Sequence, residues 1–332
     1  MVTLRTGDSP TGAMVDPPSH PLTSAGQRVE VDKRSLARRR WVLLAASLAA
    51  FVAFLDATIV NIAFPNVQAS FSGVSRSWLS WILNGYNIVF AALLVPAGRI
   101  ADLVGRRRVF AFGVATFAVA SLLCALAPSA GVLVAVRALQ AVGAALLVPT
   151  SLGLLLDEYP VADRISAIAI LGAVAALAAA LGPVLGGLLV DAFDWRAVFA
   201  VNLPVCAAIL LLTWRFVRER RDPGAGAIPD PLGIVLLAAG LALLALGLTR
   251  QDAWGWGDIR VAGSLGLGLV LFLLFLLRSR RHPSPAVELS LLRLPMVRMA
   301  NCAIIVFAAA FFAKILIDVL FLTSIWHYSV LG

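Results

Sequence analysis

The chain has 332 residues, of which 61% are hydrophobic and only 14% are charged. A soluble domain is closer to half apolar and a quarter charged, so this composition excludes an ordinary soluble protein and indicates a membrane protein. The formal net charge of +9 would suggest nucleic acid in a soluble chain, but the arginines here lie at the ends of apolar runs. We read them as topology signals facing anionic lipid, and no nucleic-acid partner is predicted.

The first 40 residues are rich in Pro, Ser, Thr, Gly and charge without an apolar period, which predicts a disordered cytoplasmic arm. The first apolar run begins at Trp41 and is long enough to span a bilayer, so it should stay as an uncleaved anchor. A span needs about 20 mainly apolar residues. Nine spans are predicted, at residues 41–64, 78–98, 108–127, 131–155, 165–190, 197–217, 232–249, 260–278 and 299–325.

These spans predict an all-α integral membrane protein built from bundles and linkers. The charged, Pro- and Gly-containing stretch after the sixth span and the basic stretch after the eighth are expected to be cytoplasmic linkers. The predicted parts are a six-helix N-terminal bundle (41–217), a linker (218–231), two extra helices (232–278), a second linker (279–298) and the first helix of an incomplete C-terminal bundle (299–332).

A charged turn between the second and third spans fixes the sidedness of the chain. It runs from Gly98 to Arg108 and contains four arginines. Lys and Arg are retained on the inner side, so this turn is placed in the cytoplasm. Counting crossings then predicts a cytoplasmic N-terminus in a multi-pass protein. The preference for Arg over Lys and the many alanines favour a bacterial inner membrane.

Ionisable side chains within the spans are costly, at about 2.5–3.5 kcal/mol on insertion scales. Asp56 in the first span and Arg137 in the fourth can face a shared polar cavity. They form either a fixed pair that orients helices or, the interpretation we favour, a site where Asp56 gains and loses a proton. Lys314 and Asp318 lie four residues apart in the ninth span, which predicts a mutually neutralising pair, with a cavity-lining role as the alternative.

The fifth span contains a proline among glycines, at Gly182, Pro183, Gly186 and Gly187. Proline removes a backbone donor and bends a helix, whereas small residues let a neighbouring helix approach closely. We expect a bend at an interface between moving parts. The three cysteines lie in separate apolar runs and the three histidines lack metal-ligand spacing, so neither a metal nor a cofactor is predicted.

The charged turn and the fourth span carry two motifs of a known family. The turn, with Gly98, Asp102, Gly105, Arg106 and Arg107, resembles the G-x-x-x-D-R-x-G-R-R signature of the major facilitator superfamily, although Leu103 stands where a basic residue is usual. The fourth-span residues Arg137, Gln140 and Gly143 resemble its R-x-x-Q-G-x-G motif, with Ala141 in place of a glycine.

Two further motifs narrow the resemblance to the fourteen-helix drug:proton antiporter branch of that superfamily. The run that contains Asp56 and Asn61 looks like its first-helix motif L-D-x-T-x-x-N-x-A-x-P, and the glycines and proline of the fifth span resemble its antiporter motif. The two extra helices lie where that branch inserts a pair between its six-helix halves. Four ordered motifs over roughly residues 41–332 make the match specific.

The resemblance implies proton-coupled efflux of drugs or small metabolites by alternating access, driven by the proton gradient. Asp56 would couple protons, with Arg137 as its cationic partner and Gln140 and Asn61 lining the same cavity. Asp102 and the arginines of the turn would latch the inward-closed state. The implied partners are a small-molecule substrate, protons and membrane lipid.

Other functions are kept open by the length of the chain and by its chemistry. The resemblance leaves the second half unfinished, so we expect a piece of a longer carrier, a chain that must self-associate, or a non-transporting remnant or assembly partner. A proton symporter of the same superfamily is a further alternative. An enzyme is not predicted, because the spans offer no cluster of nucleophile, base or metal ligands.

Overall fold

The computed structural model describes the backbone of residues 25–221 and 228–320. This part of the chain is helical apart from turns and short connections, which confirms the predicted all-α class. Two compact units are distinguished, Met1–Ala37 and Arg38–Gly332. The helices are α1 (Ala25–Ser70), α2 (Arg76–Leu79), α3 (Trp81–Val104), α4 (Arg106–Ala125), α5 (Ala130–Glu158), α6 (Val161–Ala192), α7 (Ala197–Ala200), α8 (Asn202–Phe216), α9 (Pro231–Trp254), α10 (Ile259–Arg281) and α11 (Pro295–Leu320), with a 3₁₀ turn at Leu289–Arg293.

Within the described residues, eight helical segments are long and apolar enough to cross a membrane. They lie on α1, α2 with α3, α4, α5, α6, α7 with α8, α9 and α10, and they coincide with the first eight predicted spans. The ninth predicted span lies on α11, where the apolar part that the structure describes is Pro295–Ala310. The grouping of the spans into bundles and linkers stays a prediction.

Two predicted boundaries were wrong. Helix α1 begins at Ala25, so residues 25–40 are helical rather than disordered; this stretch contains many good helix formers, which extend the helix beyond its apolar part. Residues 1–24 of the predicted arm lie outside the described residues. The charged turn is also much shorter than predicted, because α3 continues to Val104 and α4 begins at Arg106. Only Gly105 separates them, and its φ of 125° requires glycine.

Helices α4 and α5 are in backbone contact at the centre of the bundle. A Cβ atom added to Gly143 would lie 2.7 Å from the backbone nitrogen of Phe117, and one added to Gly113 would lie 2.8 Å from the Cβ of Leu146. Small residues permit this approach. In lipid no hydrophobic effect drives helices together, so the van der Waals packing at such close contacts stabilises the helix pair instead. An apolar cluster surrounds Trp195, which is fully buried.

The first turn of α9 and the last turn of α10 are joined through Asp230. This residue caps α9 by accepting from the backbone N–H of Leu232 at 3.2 Å. Its carboxylate also accepts two hydrogen bonds from Arg278, at 2.5 Å from Nε and 2.9 Å from Nη2. These bonds from Arg278 hold the pKa of Asp230 below its usual value.

Candidate functional site

Asp56 lies at the centre of a buried polar cluster. It belongs to α1, and none of its surface is exposed. Its carboxylate accepts hydrogen bonds from Arg137 Nη1 at 2.5 Å and from Gln140 Nε2 at 2.9 Å, both on α5. The third donor is Asn202 Nδ2 at the start of α8, 3.1 Å away. The structure thus brings together Asp56, Arg137 and Gln140 as the sequence predicted.

Arg137 is held by contacts on several sides. Its Nε donates to the carbonyl oxygen of Ile82 at 3.3 Å, and its Nη1 donates to Gln140 Oε1 at 2.7 Å as well as to Asp56. The guanidinium carbon lies 4.0 Å from the centre of the Tyr86 ring and 5.8 Å from that of Phe199. Both distances are within the range of cation–π attraction. The guanidinium is therefore fixed in one orientation toward the carboxylate.

The pair formed by Asp56 and Arg137 is neutral while Asp56 is charged. Taking each ion out of water costs several kcal/mol, which the partner offsets only where geometry and further hydrogen bonds are good. The two amide donors supply those further bonds to Asp56. Adding a proton to Asp56 would leave the buried charge of Arg137 without a counter-ion. The two protonation states therefore favour different surroundings of the cluster.

Sequence reasoning missed two members of this cluster, Asn202 and Ser121. Both are fully buried. The hydroxyl oxygen of Ser121, on α4, accepts from Gln140 Nε2 at 2.8 Å and from Asn202 Nδ2 at 3.3 Å. The only available signal was a single polar residue within an apolar run. That signal is weak, because neutral amides and hydroxyls commonly pair across membrane helices.

One other candidate residue, Asn61, is not part of the cluster. Asn61 is exposed, and its amide donates to carbonyls of its own helix, at 3.0 Å to Ala57 and 3.4 Å to Thr58. The structure does not bring it to Asp56, and its role in lining a cavity stays a prediction. Lys314 and Asp318 belong to α11, but their side chains lie outside the described residues.

The predicted fifth-span motif lies on α6, which continues as one helix through Pro183. Gly182, Gly186 and Gly187 are buried, whereas Pro183 is exposed. A Cβ atom on Gly182 would lie 2.8 Å from the Cβ of Thr58, and one on Gly186 would lie 3.2 Å from the carbonyl oxygen of Ile59. The glycines thus let α6 contact α1 two to three residues beyond Asp56.

The charged turn takes part in an ion-pair network at one end of the bundle. Arg106 donates to Asp102 at 2.8 Å, to Asp157 at 2.7 Å and to the carbonyl oxygen of Gly153 at 3.1 Å. Gly98 lies within α3 near Pro149 of α5. Among the described residues, the ionic partners of Asp102 and Arg106 therefore belong to the N-terminal helices themselves.

Further contacts place several helix ends on the same face. Arg107 donates from its backbone N–H to Glu219 at 3.2 Å and from Nη2 to the carbonyl oxygen of Trp214 at 3.1 Å. Arg38, within α1, pairs with Glu158 at the end of α5 at 2.6 Å. Asp157 and Glu158, at the end of α5, are therefore both ion-paired. This arginine-rich face is the one that charge retention assigns to the cytoplasm.

The family model described as the Major Facilitator Superfamily matches residues 46–332 of this sequence. The chain belongs to the Major Facilitator Superfamily. Within the described residues of this Major Facilitator chain, no three His, Cys, Asp or Glu side chains are grouped to hold a metal ion. The absence of a metal and of a cofactor stays a prediction.

Curated relatives of this Major Facilitator chain include bacterial resistance and export proteins. The multidrug resistance protein Stp of Mycobacterium tuberculosis is 35% identical over 86% of this chain and 53% of its own length. The tetracenomycin C resistance and export protein of Streptomyces glaucescens is 35% identical over 88% of this chain and 54% of its own length. The chain spans about half the length of these curated relatives.

The solved structure of the POT family transporter PepTSo is similar in fold, with a TM-score of 0.50 at 15% identity over 76% of this chain and 56% of that chain. This likeness concerns the fold alone. The eight membrane-length segments and the bacterial exporters among the relatives identify a multi-pass protein of the bacterial inner membrane.

Proposed function

We propose that this Major Facilitator chain contributes its helices to a proton-coupled exporter of drugs or small metabolites, which works by alternating access across the cytoplasmic membrane. The names of its relatives, among them a multidrug resistance protein and a tetracenomycin C resistance and export protein, support export. Because the chain spans about half of each relative, the transport activity and its substrates belong to the proposal. The energy source in this proposal is the proton gradient, with no bound cofactor.

The observation that carries the proposal is the buried pair of Asp56 and Arg137. In the described structure the carboxylate is sealed from water and has three hydrogen-bond donors. A proton that reaches Asp56 removes the negative charge that holds Arg137, and this change favours a different arrangement of the helices around the pair. A ligand shifts such an equilibrium only by its differential affinity for the two states. If substrate binding and protonation of Asp56 favour opposite states, the substrate would be exchanged for protons across the membrane.

Two other features support alternating access. The glycines of α6 bring its backbone against α1 beside Asp56, where a shift of either helix alters the surroundings of the carboxylate. The network of Asp102, Arg106 and Asp157 ties α3, α4 and α5 at the cytoplasmic end. In the proposal this network, together with Gly105 and Arg107 of the same turn, holds the inward-closed state.

The test measures proton movement in everted membrane vesicles that contain the chain and whose interior is acidified by respiration. Ethidium and puromycin are added as probes, and a pH-sensitive acridine dye reports the gradient. An antiporter carries the probe inward and releases protons, so dye fluorescence should recover on addition of either probe. Asp56→Asn should abolish the recovery while leaving membrane insertion intact.

The matched control is Asp191→Asn, the same substitution at an exposed aspartate near the end of α6. It should retain the response of the unchanged chain. Probe movement in the same direction as protons would instead establish a symporter. An inserted chain that moves neither proton nor probe would refute the exporter proposal and favour a non-transporting assembly partner.

A further inference from the structure

The amide of Asn202 differs from the other polar groups around Asp56 because one of its two ends has no partner. Its Nδ2 donates to Asp56 Oδ1 at 3.1 Å and to Ser121 Oγ at 3.3 Å. Its Oδ1 is buried without a hydrogen-bond partner in the described structure. An unmade hydrogen bond at a buried polar atom costs about 1–3 kcal/mol, so such an atom calls for a reason.

The other donors to Asp56 have no such freedom. Gln140 Oε1 accepts from Arg137 at 2.7 Å and from the thiol of Cys124 at 3.8 Å, so rotating this amide would break both contacts. Arg137 has only donors, and its guanidinium stays charged in proteins. When Asp56 is charged, all three neighbours suit it. When it carries a proton, they present donors to a group that itself must donate.

We infer that Asn202 is the positioning residue that accepts the hydrogen bond of protonated Asp56, by rotation of its amide through about half a turn. The inference rests on the proposed function, since it concerns the protonated state of the coupling carboxylate. Rotation exchanges Oδ1 and Nδ2, so that Oδ1 takes the place from which Nδ2 now contacts Asp56 and Ser121. The proton comes from solution to a carboxylate oxygen, the new O–H donates to Asn202 Oδ1, and no covalent bond of Asn202 changes.

Ser121 fits both states. Its hydroxyl oxygen now accepts from Gln140 and Asn202, and its own hydrogen can turn to donate to Asn202 Oδ1 after the rotation. The titratable groups that face Asp56 from the surrounding helices are Arg137, Tyr86, Cys124 and Cys206. Of these, Arg137 cannot accept a hydrogen bond, and Tyr86 contacts Arg137 through its ring face. Among the three side chains that hydrogen-bond to Asp56 in the described structure, Asn202 is therefore the one with an unused acceptor.

The experiment is acid-minus-neutral infrared difference spectroscopy on the purified full chain in liposomes, with asparagine side chains labelled by ¹³C at the amide carbon. Protonation of Asp56 should give a carboxyl C=O band that is absent from Asp56→Asn. In the unchanged chain one labelled amide C=O band should move to lower frequency with the same pH dependence, because Oδ1 gains two donors. This readout does not require any variant of Asn202 to fold.

Asn202→Leu removes both ends of the amide at similar volume. It should abolish the labelled amide change and move the carboxyl band to higher frequency, since the new O–H loses its acceptor. The control is Asn301→Leu, the same substitution at an exposed asparagine of α11 whose amide donates to the carbonyl oxygen of Val297 in its own helix. It should leave both bands unchanged.

The outcomes separate this inference from the proposed function. An Asp56 carboxyl band without an amide change in the unchanged chain would overturn the role of Asn202 and leave proton coupling in place. The same holds for an amide change that persists in Asn202→Leu. If no carboxyl band belongs to Asp56 at any pH at which the chain stays folded, both the inference and the proton-coupling proposal fail.

Discussion

Replacing Arg137 with leucine tests whether Asp56 is a charged, paired group in the folded chain. The substitution removes the 2.5 Å hydrogen bond to Asp56 and the cation–π contact with Tyr86. Gln140 and Asn202 remain as donors to the carboxylate. Breaking one partner of a buried pair typically destabilises a protein by about 3–5 kcal/mol, because an uncompensated charge stays in the interior.

In Arg137→Leu the buried carboxylate keeps only its two neutral amide donors, so a charge remains in the interior without a counter-ion. We therefore expect Arg137→Leu to destabilise the chain by about 3–5 kcal/mol.

The assay is reversible unfolding in mixed micelles by a graded denaturing detergent, carried out as a double-mutant cycle at pH 7. Asp56→Leu should also destabilise, whereas the double variant with leucine at both positions should recover most of the loss, because no charge stays buried. A single variant that loses less than about 1 kcal/mol, or additive losses in the double variant, would refute the charged pair.

Three further predictions concern packing, pH and the cytoplasmic network. Gly143→Ala should lower the free energy of unfolding by about 1–3 kcal/mol, because the added Cβ would press on the backbone of Phe117. Gly266→Ala adds a Cβ that faces open space and should not destabilise the chain. Unfolding titrations compare the two variants. Because Arg278 lowers the pKa of Asp230, the stability that this pair contributes is present above about pH 4 and is lost as the pH falls through the lowered pKa. Asp230→Asn should therefore destabilise the chain at pH 7 and cease to differ from the parent chain in strong acid. Asp102→Ala should change the free energy of unfolding by less than about 1 kcal/mol, because Asp157 still holds Arg106. The same variant should slow proton exchange in vesicles. A change in ethidium affinity alone would contradict the role of this network as a latch.

The sequence was sufficient to predict the charged residues of the site but not all of its neutral residues. Asp56 and Arg137 were found because a charge in an apolar span costs several kcal/mol and calls for a partner. Gln140 was found through its motif. Asn202 and Ser121 carry no charge, so neither cost nor spacing distinguishes them from polar residues that only join helices. Their position beside Asp56 depends on how α4 and α8 pack against α1, which no local pattern determines.

Helix boundaries show the same division between local and tertiary signals. Apolar length predicted eight of the spans because it is a property of each segment alone. The end of α3 was predicted too early, since charge at Arg99 and Asp102 was taken as the end of the helix. Charged residues beyond the apolar part are good helix formers and continue it outside the membrane. The helix is interrupted there only at Gly105, which has a positive φ.

In the proposed mechanism, the close packing of α1 against α6 would give the polar cluster two discrete states rather than a continuous range. Beside Asp56, α1 meets Gly182 and Gly186 of α6 so closely that the Thr58 side chain and the Ile59 carbonyl oxygen leave no room for a Cβ atom on either glycine. Interiors at this density respond to strain by moving between discrete arrangements, since small continuous deformations lose contacts on one side and clash on the other. A change of one charge at Asp56 therefore acts on a helix contact that can hold or move as a unit, which is the physical requirement for coupling a proton to a conformational step.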